Sequence, residues 1–131
     1  MDEHLVWFKR AKSNLAIAKT VVKDEYEVFG GEIFFEELCF ELQQCVEKAL
    51  KALMIYNKIQ FPKTHDIDRL ITALKQNSII LPEKILDAAI LTQYAVATRY
   101  PDSITKITQE DYEEALEIAE NVCEWVEEQM N

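Results

Sequence analysis

The stretch EIFFEELCFELQQCVEKALKALMIYN, residues 32–57, decides the fold class. Phe35, Leu38, Cys39, Leu42, Val46, Ala49, Leu53 and Tyr56 recur at i, i+3 and i+4, the spacing of one helix face. Phe34, Phe40, Cys45, Leu50, Met54 and Ile55 add apolar surface outside that face. A helix that is apolar on more than one side is buried on more than one side. Two arrangements satisfy this. The helix is central in its own bundle, or it forms an interface, for which a homodimer through this helix is the natural form.

Helical spacing continues on both sides of this segment. Upstream, Leu5, Phe8, Leu15, Ala18 and Val22 predict a helix from about Glu3 to Lys23, and the Gly30-Gly31 pair predicts a loop from Tyr26 to Gly31. Downstream, Pro62 marks residues 58–65 as a connector. A third helix follows from Asp66, its candidate N-cap, to about Gln76, with Ile67, Leu70, Ile71 and Leu74 facing inward. Pro82 suits the first turn of a fourth helix reaching about Arg99, with a stripe of Ile85, Ala88, Ala89, Thr92, Ala95 and Val96. Pro101 ends it. Thr108 and Asp111 have the spacing of a capping box, and a fifth helix carries Tyr112, Ala115, Leu116, Ala119, Val122, Cys123 and Val126 inward. The expectation is one all-α domain over residues 1–131, a bundle of about five helices.

Composition agrees. With 131 residues, 49% hydrophobic, the chain can bury a core without covalent staples. Two Gly and three Pro leave little room for hairpins. Cys39, Cys45 and Cys123 lie inside apolar helical runs, with no C-x-x-C pair or Cys/His cluster, and read as small core residues in a reducing compartment. No metal and no cofactor is expected. The start of the chain has no uninterrupted apolar run of signal-peptide type, and no segment is apolar enough to span a bilayer, so a cytoplasmic location without membrane contact is expected. Fourteen basic against 24 acidic side chains give a net charge of −10, which opposes long-range attraction to nucleic acid. Contact with phosphate then needs a local basic patch. The fifth helix carries Glu110, Asp111, Glu113, Glu114, Glu117, Glu120, Glu124, Glu127 and Glu128 outward with no Lys or Arg. That face is either a solvated surface or a strip for a basic partner.

Three constellations bear on chemistry. Lys48, Lys51, Lys58, Lys63 and Arg69 invert the local sign of charge, with Lys48 and Lys51 three apart on one helix face; Glu47–Lys51 is also a favourable i,i+4 pair. In the turn Pro62-Lys63-Thr64-His65-Asp66, an anion would meet free N–H groups at a helix start beside a histidine; alternatively, His65 or Thr64 caps that helix. Arg99-Tyr100-Pro101-Asp102 offers a guanidinium fork for phosphate and a ring for a base, or an Arg99–Asp102 latch. No Gly-rich phosphate loop, Ser/His/Asp arrangement or H-E-x-x-H motif is present.

In this order these pieces resemble the HEPN family (higher eukaryotes and prokaryotes nucleotide-binding domain), particularly its small prokaryotic members. The resemblance rests on Trp7, Ala11 and Leu15, on Gln43-Gln44-x-x-Glu47-Lys48-Ala49-Leu50-Lys51-Ala52-Leu53, and on Phe61-Pro62-Lys63-Thr64-His65-Asp66. It continues in Leu91-Thr92-x-Tyr94 and Thr98-Arg99-Tyr100-Pro101-Asp102. It implies an up-and-down helical bundle that dimerises, a minimal nucleotidyltransferase as partner in a toxin–antitoxin-like pair, and a nucleotide- or RNA-phosphate site between subunits. The family's ribonucleases carry Arg followed, after four to six residues, by His. After Arg99 those positions are Ile104, Thr105 and Lys106.

The resulting expectation is a noncatalytic module binding nucleotide or RNA phosphate through Arg99, Tyr100, Lys48, Lys51 and His65. One alternative is a metal-independent endoribonuclease in which His65 supplies the missing acid or base beside Arg99. The other is a pure protein-interaction module.

Overall fold

A computed structural model describes residues 2–23, 27–28, 31–32, 34–97 and 107–131. Its architecture is an all-α bundle. The α-helices are α1 (Glu3–Lys23), α2 (Phe35–Tyr56), α3 (Ile67–Gln76), α4 (Glu83–Leu86), α5 (Gln93–Ala97) and α6 (Gln109–Gln129). A 3-10 run, Asp87–Thr92, joins α4 to α5 directly. Between α1 and α2 a two-residue ribbon pairs β1 (Glu27–Val28) antiparallel with β2 (Gly31–Glu32), Glu27 opposite Glu32, so that Glu32 lies in the ribbon and the second helix starts at Phe35.

Helix α2 is the centre of the molecule. Thirteen of its 22 residues are buried, including the expected Leu38, Cys39, Leu42, Val46, Ala49 and Leu53 and the off-face Cys45, Leu50 and Met54. Helix α1 covers one side of α2 and α6 another. Much of the apolar surplus is thus absorbed by central burial inside the chain, while Phe34 and Tyr56 stay exposed at the two ends of the helix. Asn14 reaching Glu41 and Lys48, and Trp7 reaching Lys51, set α1 antiparallel to α2. Phe35 beside Tyr112 and Cys45 beside Cys123 set α6 parallel to α2.

Helices α2 and α3 end alike. Asn57 and Asn77 are the C-caps; Lys58 and Ser78 follow with φ of 58° and 68°. The amides of Ile59 and Ile79 then return to the carbonyls of Met54 and Leu74. This is the Schellman closure, built without glycine.

The fourth helix differs from expectation. Buried Ile85, Ala88, Leu91 and Tyr94 recur at every third position, the period of a 3-10 helix, before buried Ala95 breaks it within α5. Thr92 of the expected inward stripe is half-buried, and its hydroxyl oxygen lies 2.9 Å from the Ile67 amide, capping α3 from another element.

The acidic helix is α6. Lys12 and Lys19 of α1 lie against Glu127 and Glu120 at 3.9 and 3.1 Å, both pairs open to solvent and worth well under about 1 kcal/mol each. Among the described residues its other carboxylates face no cation.

Candidate functional site

Polar side chains on the buried side of a central helix require partners, and α2 has three in line. Gln43, Glu47 and Lys51, four residues apart, project from one face among apolar neighbours. Lys51 donates to Glu47 Oε2 at 2.9 Å and Gln43 donates to Glu47 Oε1 at 3.0 Å. The Gln44 amide donates to Gln43 Oε1 at 2.8 Å and fixes the orientation of Gln43. Lys51 is only 7% exposed; its ammonium lies 5.8 Å from the Trp7 ring centre and 5.3 Å from that of Phe61. Those rings meet edge to face.

The fourth partner of this cluster comes from the connector before α3. His65 Nδ1 lies 3.0 Å from Glu47 Oε1, while its main-chain carbonyl accepts from Gln43 at 3.4 Å. The turn is held locally. Thr64 Oγ1 accepts from the Asp66 amide and Asp66 caps α3 by accepting from the Asp68 amide, both at 3.0 Å. A carboxylate beside Nδ1 places the imidazole proton there, since the alternative sets two lone pairs face to face. Nε2 is then the ring nitrogen turned away from Glu47, on a side chain that is 61% exposed. Burial alone would push the Glu47 carboxyl up, but hydrogen bonds from Lys51, His65 and Gln43, with the Lys51 charge, hold it below the ordinary carboxylate value.

The expected site residues separate. His65 is on the surface, carried by a buried carboxylate. Lys51 was expected to meet phosphate, but its charge is enclosed by Glu47 and two rings. Lys48 is half-buried and donates to Asn14 Oδ1 at 3.0 Å. Arg99 and Tyr100 lie outside the described residues, as do Pro101 and Asp102. The free N–H groups expected at the start of α3 are not free: Thr92 takes the Ile67 amide, Asp66 takes that of Asp68, and the Asp66 carbonyl takes that of Arg69. The protein's own acceptors occupy that anion position. Beside the His65 turn runs an open groove of about 550 Å³ lined by Phe61, Pro62, Arg69, Thr72, Gln76 and others, with no carboxylate among them.

Sequence reasoning missed Glu47 as the hub. The signal was present: polar residues at 43, 47 and 51, at i,i+4 spacing, on a helix that carries apolar residues on more than one face. Read as an exposed ion pair it supports a helix; read as a buried polar row it demands a partner, which is His65.

The HEPN domain family model matches residues 4–129, nearly the whole fold including every element around His65. The chain belongs to the HEPN domain family. A curated relative, "Putative toxin MJ1304" of Methanocaldococcus jannaschii, is 30% identical over 138 aligned positions, covering 91% of this chain and 82% of the relative. Among solved structures, TT1696 from Thermus thermophilus superposes with a TM-score of 0.79 at 29% identity, covering 98% of this chain and 99% of that one. ST0689, described as an archaeal HEPN homologue, gives 0.75 at 28% identity with both chains fully covered. No helix among the described residues of this HEPN domain is long and apolar enough to cross a membrane.

Proposed function

We propose that this HEPN domain is the noncatalytic, cytoplasmic partner of a minimal nucleotidyltransferase in a toxin–antitoxin-like pair, and that it binds nucleotide or RNA phosphate on the surface carrying His65. The observation that carries the reading is the Glu47–His65 pair. A buried carboxylate orients an imidazole so that its Nε2 edge faces solvent, where an N–H would donate to a phosphate oxygen. The carboxylate-free groove beside it supports the reading, because a chain of net −10 repels phosphate almost everywhere else. Phe61 offers a ring edge to a base, and Arg69 a guanidinium. Arg99, Tyr100 and Lys48 remain in the proposed binding set. Lys51 acts there through Glu47, not on the ligand. The toxin name of the Methanocaldococcus relative supports the paired role. Homodimerisation belongs to the same proposal. The exposed apolar side chains Leu5, Ile17, Phe34, Tyr56 and Ile90 provide surface for it, whereas the core face of α2 does not.

Calorimetric titration of wild type and His65→Ala with ATP and with a short 5′-phosphorylated RNA tests the site. Loss of a charge-assisted contact lowers affinity roughly tenfold or more, with little change in melting temperature. Equal affinities, or no binding by wild type, overturn the reading. A second reading rests on the same pair, since a carboxylate-oriented imidazole is what proton transfer requires. RNA cleavage in the presence of EDTA that disappears in His65→Ala would replace the noncatalytic role with that of a metal-independent endoribonuclease.

A further inference from the structure

Two of the three buried thiols face each other across the central packing. Cys45 of α2 and Cys123 of α6 have their sulfurs 3.2 Å apart, although 78 positions separate them in the chain. Small residues fill a helix–helix seam without needing sulfur, and a shared thiol hydrogen bond contributes little to packing. What the arrangement uniquely supplies is proximity: the sulfurs need close only about 1 Å to reach bonding distance.

We propose that Cys45 and Cys123 are a reversible oxidation site, converted by a peroxide into an intramolecular disulfide that ties α2 to α6. The two positions are unequal in a way that orders the chemistry. Cys45 is fully enclosed, while Cys123 reaches the edge of the seam. The hydrogen bond shared with Cys45 and the charge of nearby Lys12 hold the Cys123 thiol below its ordinary value against burial and the Glu127 and Glu120 carboxylates. Cys123 is therefore the attacking sulfur and Cys45 the resolving one. The Cys123 thiolate attacks one peroxide oxygen; the O–O bond breaks, Cys123 becomes a sulfenic acid, and the departing hydroxide takes up the thiol proton as water. Cys45 then attacks the Cys123 sulfur, the S–O bond breaks, and its hydroxide leaves with the Cys45 proton as a second water. Two thiols lose two electrons and one peroxide gains them. Cys39 provides an internal contrast: burial first, then the Asp111 charge, push its thiol up to about 12, and it shares its surroundings with Tyr94 rather than with another sulfur.

The folded protein is treated with hydrogen peroxide, unfolded in N-ethylmaleimide, and weighed intact, with peptide mapping of the product. The expected product is monomeric, two hydrogens lighter before alkylation, with one alkylated site at Cys39 in place of three. Its melting temperature is raised, and dithiothreitol restores both mass and melting temperature. Cys39→Ala should form the same link, and either Cys45→Ala or Cys123→Ala should abolish it. Each variant's circular dichroism establishes that it is folded. Three alkylatable thiols after oxidation of wild type would overturn the proposal, as would a link through Cys39, or a product linked only between molecules. None of these outcomes depends on phosphate binding, so this proposal and that of the His65 surface fail separately.

Discussion

Replacing Glu47 by Gln isolates what the buried cluster contributes. Gln keeps the shape and an acceptor oxygen for His65, but it removes the only anion within reach of the Lys51 ammonium among the described residues. Lys51 is then an unpaired buried cation, with only the faces of Trp7 and Phe61 to offset its desolvation. Breaking a buried pair from one side costs about 3–5 kcal/mol; the ring contacts are present before and after, and with Lys51 not wholly enclosed the loss is expected at the lower end, about 3 kcal/mol. Lys51→Met leaves a different remainder. Glu47 still accepts from Gln43 and His65, so its loss is smaller, about 1–2 kcal/mol. The double variant, carrying neither charge, should lie within about 1 kcal/mol of wild type. Urea unfolding measures all four proteins. With a slope near 1.5 kcal/mol/M, Glu47→Gln moves its midpoint down by about 2 M. The reasoning fails if Glu47→Gln costs less than about 1 kcal/mol, or if Lys51→Met costs more than Glu47→Gln.

Two further outcomes rest on other features. The Glu47 carboxyl ionises more readily in the folded chain than its ordinary value of 4.5, so the stability it contributes is complete above pH 4.5 and is lost as the pH falls through the folded value; the stability gap between wild type and Glu47→Gln should accordingly narrow below pH 4.5, and a gap constant from pH 7 to pH 3 would contradict this. Ser78 holds a left-handed φ of 68° at the end of α3, where glycine carries no Cβ penalty, so Ser78→Gly should raise stability by about 0.5–1 kcal/mol in the same urea assay, and a loss would mean that Ser78 is not strained there.

Most helices were legible because their signals are local. The capping box at Thr108 and Asp111 forms as its spacing demands, and Asp66 caps α3. Helices α1 and α3 occupy the spans their apolar periods predict. What escaped is non-local. Residues 83–97 have helical propensity throughout, yet a 3-10 run interrupts them, and the buried side chains change from an α-helical to a three-residue period. The gain from that register lies elsewhere in the chain. It turns Thr92 towards the first amide of α3, a donor 25 positions away that no local pattern reveals. The C-terminal closures at Lys58 and Ser78 were hidden for a simpler reason: glycine is the usual marker, and both glycines of this chain lie elsewhere, at 30 and 31.

The same distinction explains the site. Charge and residue type brought Lys48, Lys51 and His65 forward together, but burial assigns them different work, and burial is a property of the packed bundle. The decisive residue is Glu47, whose two oxygens divide the cluster. One faces inward to Lys51 and is neutralised there; the other faces the loop and orients His65. Without Lys51 the carboxylate would carry uncompensated charge into the core, and without Glu47 the imidazole would turn freely on an exposed turn. The lysine that looked like a ligand therefore acts one step behind the proposed binding surface. It makes a buried carboxylate tolerable, and that carboxylate in turn fixes which nitrogen His65 presents to solvent.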